Sequence, residues 1–88
     1  MHAYRITDTE GDVFYYAARN ESDAIEAHNR DWSPEASTAE LIPDDQLDTL
    51  TLVVQDENEL PTDETMTFRE FMDDNADEQE AYQIGDSL

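Results

Sequence analysis

Twenty-four acidic residues against four basic ones give this 88-residue chain a formal charge of −20, and that imbalance limits what it can fold into. Repulsion between like charges favours solubility and opposes compaction. The carboxylates must therefore stay at the surface while a small apolar set builds the core. Hydrophobic residues make up 38% of the chain and include eight aromatic rings, enough for one modest core. A single domain spanning residues 1–88 is expected. A chain this short buries only ~60–65% of the surface its unfolded form exposes, so the expected stability margin is narrow. High charge with low hydropathy also predicts local disorder, placed here in the acid-rich stretches 56–64 and 73–80.

Several classes fall away on residue content. Cysteine is absent, which removes disulfides and thiolate metal sites. Met1-His2-Ala3-Tyr4-Arg5-Ile6 does not read as the start of a secretory signal. No apolar run approaches the ~18 residues of a membrane span. Asn20-Glu21-Ser22 is thus read as a helix start, not a glycosylation acceptor, and the expected location is the cytoplasm, or a host's cytoplasm if a virus encodes the chain. All four bases are arginine. So few cations cannot neutralise phosphates, which argues against direct binding to nucleic acid or to an anionic membrane.

Local patterning gives an element order. Residues 3–7 alternate, with Tyr4 and Ile6 on one face, and Gly11 marks a turn before a second strand at 13–18. Asn20 is a suitable N-cap for a helix whose apolar stripe runs through Ala24, Ile25, His28 and Trp32, with a Glu26–Arg30 pair off the stripe and Pro34 at its end. Residues 39–42 and 49–55 read as strands of a second hairpin, with a turn at 43–46 between them and a polar loop at 56–64 following. Thr67-Phe68-Arg69-Glu70 is a capping box, flanked by the hydrophobic staple Met66/Phe71, and the helix it starts should end near Asn75. Arg69 is expected to pair with Asp73 four residues on. Residues 82–84 suggest a last edge strand. The fold class is α+β: a small antiparallel sheet in ββα-ββ-α order, with helices on one face.

Chemistry beyond charge finds little support. No serine sits in a nucleophile elbow, and His28 lies on an apolar helix face beside Trp32, so no catalytic residue is assigned and the chain is read as non-enzymatic. Asp8-x-Glu10-x-Asp12 and Asp73-x-Asn75-x-Asp77 offer alternating oxygen ligands. Both lack the glycine and glutamate that complete a calcium loop, having Val13 and Arg19 in one case and Glu78 and Ile84 in the other. No metal or cofactor is assigned. The adjacent Tyr15 and Tyr16 point to opposite faces of their strand, and an exposed ring near Arg5 would fit an adaptor surface.

Acidity is the remaining signal, and it is uneven. Residues 1–43 hold nine acids against Arg5, Arg19 and Arg30, a net of −6, while residues 44–88 hold 15 against Arg69 alone, a net of −14. The candidate partner-binding acids are Asp44, Asp45, Asp48, Asp56, Glu57, Glu59, Asp63, Glu64, Asp73, Asp74, Asp77, Glu78 and Glu80. In size, charge and these acidic runs, the chain resembles the small phage-encoded DNA-mimic inhibitors of the anti-CRISPR and anti-restriction type. That resemblance implies a carboxylate surface occupying the DNA channel of a basic nucleic-acid-binding protein, such as a CRISPR effector or restriction complex. It equally resembles cytoplasmic proteins of salt-accumulating organisms, acidic and poor in lysine and cysteine, which would make the charge an adaptation to habitat.

Overall fold

The structure is a computed structural model that describes residues 1–55, 57–58 and 60–84. It opens on a hairpin of β1 (His2–Asp8) and β2 (Val13–Ala18). The turn between them is built by Asp8, which is buried and whose Oδ1 accepts the backbone N–H groups of Glu10 and Asp12, each at 2.9 Å. Gly11 sits at φ 91°, where a side chain would strain the backbone. Helix α1 (Glu21–Asp31) follows, with Asn20 Oδ1 accepting the Asp23 N–H at 2.9 Å as its N-cap. Arg30 pairs with its neighbour Asp31 and not with Glu26.

After α1 the chain returns as β3 (Ala36–Leu41), makes a 3-10 helix (Asp44–Asp48), and forms β4 (Thr51–Gln55) and β5 (Pro61–Thr67). Helix α2 (Phe68–Asp74) and the short β6 (Tyr82–Gln83) complete the order. The capping box is present: Thr67 Oγ1 accepts the Glu70 N–H at 3.1 Å. Asn75 closes the other end, its side-chain amide donating to the Phe71 carbonyl at 2.8 Å. Among the described residues, no helix is long and apolar enough to cross a membrane.

Pairing differs from the sequence expectation in one respect. The main sheet has the order β3-β1-β2-β6, all antiparallel, and β4 pairs with β5 in a separate two-stranded sheet. The expected hairpin between 39–42 and 49–55 is therefore not formed. The free edge of β1 takes β3 instead, setting Ala39 beside Ile6 and Leu41 beside Tyr4. β4 then finds its partner in a stretch expected to be part of a polar loop. Pro61 opens β5, a position where its missing donor costs no ladder bond, and the threonines that follow suit a half-exposed pleat. Nor are 73–80 all irregular, since Asp73 and Asp74 complete the last turn of α2.

The class expected from sequence, α+β with an antiparallel sheet, is the one observed, but the helices lie on opposite faces of the sheet. Tyr4, Ile6, Tyr16 and Ala18 point to one face, where Ala24 and Ala27 of α1 cover them. Ala3 and Ala17 point to the other, where Phe68 of α2, Leu47 of the 3-10 helix, Ile42 and Ile84 form a second cluster. The cause is visible in β1 and β2: successive residues point to opposite faces, and both parities are apolar. Each face must then be covered, at a gain of ~1.5–3 kcal/mol for every large side chain removed from water. Tyr16 is wholly buried, and Tyr15 packs edge-to-face on Phe68 with ring centroids 5.1 Å apart. Tyr15 is half-buried and lines a surface groove with Arg5.

Candidate acidic interaction surface

Two elements far apart in sequence carry five of the predicted acids, and the fold brings them side by side. Asp44, Asp45 and Asp48 project from the 3-10 helix, Asp73 and Asp74 from the end of α2, and Asp77 and Glu78 follow its C-cap; all seven are exposed. The link between the elements is Arg69. Its Nε donates to Asp48 Oδ1 at 2.6 Å, and its Nη2 donates to the Asp44 carbonyl at 2.8 Å and reaches Asp44 Oδ2 at 3.4 Å. The expected Arg69–Asp73 pair is not made; the guanidinium turns across to the 3-10 helix, where it meets two carboxylates and a carbonyl in place of one. Asp48 and then Asp44 hold its proton more tightly than in a free arginine.

Beneath these acids lies a cavity of about 240 Å³, with Leu47, Met72 and Tyr82 on its apolar side and Asp44, Asp73 and Glu78 on its rim. Burial, and then the charges of Glu78 and Asp73, push the Tyr82 phenol above its ordinary range. The ring thus lines a cavity in which three carboxylates face the Arg69 guanidinium.

The other predicted residues lie elsewhere. Glu57 is in the turn joining β4 to β5, and Asp63 and Glu64 are exposed on β5. Glu80 lines a separate groove with Arg19, Asp23, Glu26 and Arg30. Asp56 and Glu59 lie outside the described residues. The eleven described candidate acids are thus not one patch. Seven lie on or just after the 3-10 helix and α2, and the other four are dispersed. Acids of the first half are exposed too, among them Glu10, Asp12, Glu21, Glu26 and Glu35.

Groups considered for catalysis or metal binding have structural partners. His28 is wholly buried against Phe14 and Tyr16, with Nδ1 3.1 Å from Asn29 Oδ1. Its Nε2 has no hydrogen-bond partner among the described residues. The Asp8 carboxylate is engaged by its own turn, and the Asn75 amide by the end of α2. Residue spacing gave no sign of the bond from the Tyr16 hydroxyl to Asp31 Oδ2, 2.9 Å long. Burial first, and then Asp31, raise the Tyr16 phenol well above its ordinary range. Arg30, and more weakly Tyr16, hold the Asp31 carboxyl below its own.

No protein family, curated protein or solved structure matches this chain.

Proposed function

We propose that the protein is a non-enzymatic cytoplasmic inhibitor or regulator that binds a basic nucleic-acid-binding protein, such as a CRISPR effector or restriction complex, by standing in for DNA. The observation that carries this reading is that Arg69 ties Asp44 and Asp48 of the 3-10 helix to α2, so that Asp44, Asp73 and Glu78 line one cavity, with Asp45, Asp74 and Asp77 exposed on the same two stretches of chain. Duplex DNA carries one charge per ~1.7 Å of axis, so a segment matching the molecule's longest dimension of 32 Å carries roughly 19. The seven acids and Arg69 put a net −6, about a third of that, on this surface alone. A site that evolved to grip phosphates would be steered to such a surface and held by it.

The test is charge reversal. Lysine at Asp44/Asp45, or at Asp73/Asp74/Asp77, should abolish binding to the partner while circular dichroism stays unchanged. An interaction indifferent to both variants would sink the reading.

One observation favours a second reading. Exposed acids on α1, on the β1–β2 turn and beside β3 carry the charge around the molecule, as adaptation to a saline cytoplasm would. On that reading the domain is loose in dilute buffer and compacts in molar potassium chloride. A DNA mimic is folded at ordinary ionic strength, and circular dichroism across a salt series separates the two.

A further inference from the structure

The main sheet has one edge that invites a partner. β3 pairs with β1 on its inner side, and α1 packs against it from one face. The Ile42 N–H donates inward to the Ala3 carbonyl at 2.9 Å. Antiparallel alternation then turns the main chain of Glu40 inward as well, and that of Ala39 and Leu41 outward. The outward N–H and C=O groups of Ala39 and Leu41 have no partner among the described residues. Leu41 is 58% exposed.

Natural edges are usually blunted by lysine, proline or an inward charge. Here the register shift at Thr7/Asp8 interrupts the ladder near Ser37, but residues 38–41 form a regular edge. Its one charged side chain, Glu40, is turned onto the sheet face in an ion pair with Arg5. Where this edge ends, a groove of about 310 Å³ runs from Leu41, Pro43, Gln46 and Leu50 onto the sheet face at Tyr15 and the Arg5–Glu40 ion pair, with room for one side chain of an added strand. Main-chain bonds along an edge, with a pocket for a side chain, are what strand addition requires.

Charge decides the occupant. Glu35 precedes β3, Glu40 lies on it, Asp44 and Asp45 follow it; Arg5 offsets Glu40 and Arg69 offsets Asp44, which leaves Glu35 and Asp45 uncompensated at the two ends of the edge. A second copy is disfavoured in the register that centres the edge on itself: antiparallel pairing that sets Ala39 opposite Leu41 of the other copy also sets Glu40 opposite Glu40. Like charges directly opposed are destabilising in a sheet. We propose that the outer edge of β3 docks an extended, arginine- or lysine-bearing segment of a partner protein as an added strand. This names a surface that adjoins the acids of the 3-10 helix at Asp44 and Asp45 but excludes those of α2, and shares with that reading the sign of the partner's charge.

The experiment is amide exchange and chemical-shift mapping on the full chain, titrated with a blocked Thr-Arg-Val-Arg-Thr peptide at moderate salt. Controls are Thr-Glu-Val-Glu-Thr and the arginine peptide N-methylated at valine. Exchange at Ala39 and Leu41 should slow about tenfold or more with the arginine peptide, and stay unchanged with either control. Ala39→Pro, which deletes an outward donor, should remove the effect at Leu41. If that variant fails to fold, the N-methylated peptide carries the same test. Equal slowing by the glutamate peptide would overturn the proposal, as would slowing that grows with protein concentration alone, the mark of a second copy. Shifts confined to the 3-10 helix and α2 would overturn it and leave the acidic surface standing. Conversely, Asp73→Lys with Asp74→Lys and Asp77→Lys should leave the β3 response intact.

Discussion

Removing one oxygen atom, in Tyr16→Phe, tests how α1 is fastened to the sheet. The ring is wholly buried between β2 and α1, and its hydroxyl donates to Asp31 in the last turn of that helix at 2.9 Å. A hydrogen bond to a charged group contributes ~1.5–3 kcal/mol when its acceptor has no alternative. Asp31 has two: its side chain is 35% exposed to water, and Arg30 Nε lies 3.0 Å from its other oxygen. The expected loss at neutral pH is therefore nearer ~1 kcal/mol, which in a domain of this size lowers Tm by about 4–8 °C.

The same variant has an alkaline signature. Burial, and then Asp31, raise the phenol of Tyr16 above that of an unfolded tyrosine. A group with a raised folded pKa contributes stability that is complete below the unfolded value, near pH 10, and is lost as pH rises through the folded one. Wild type should therefore lose stability above about pH 10, and Tyr16→Phe should lose less, so the gap between them narrows with rising pH. Urea unfolding followed by circular dichroism at neutral and alkaline pH measures both effects. A variant as stable as wild type at neutral pH, or a gap that widens in alkali, would refute the reasoning.

Other expectations follow from the same packing. Phe68→Ala removes the ring that joins α2 to Tyr15 and should cost about 3–5 kcal/mol, a large share of the roughly 4–13 kcal/mol expected for 88 residues; urea midpoints check it. Asp8→Asn keeps the Oδ1 acceptor and should change stability by less than about 0.5 kcal/mol, whereas Asp8→Ala strands two backbone donors and should cost about 1–3 kcal/mol. Arg69→Gln should shift the urea midpoint only slightly, because its ion pairs are exposed, while exchange of backbone amides in the 3-10 helix speeds up.

Local rules served well where the signal was local. The turn at Gly11, the caps at Asn20 and Thr67, the helix end at Asn75 and the edge strand near Tyr82 each follow from a few neighbouring residues, and each is observed. Long-range pairing was less legible. Residues 61–64 read as the end of a polar loop, yet they open β5, whose pairing with β4 outweighs that polarity. The division of the helices between two faces was encoded in Ala3/Tyr4 and Tyr15/Tyr16, where both strand faces are apolar, but the element order alone did not express it. At the candidate site, the density of acids after Pro43 was plain in the sequence. That Arg69 would reach across to Asp44 and Asp48, bringing the 3-10 helix and α2 together, was not: a four-residue spacing to Asp73 offers the simpler partner, and only the tertiary contact overrides it.

The central claim is that this surface takes the place of DNA, and displacement measures it most directly. A DNA-binding protein of the native host, purified with labelled duplex bound, is titrated with the full chain while fluorescence anisotropy reports the duplex. The account predicts release near one equivalent at moderate salt, release that weakens steeply as salt rises, and none with lysine at Asp73, Asp74 and Asp77. Duplex that stays bound throughout, or release that neither salt nor charge reversal alters, would contradict it.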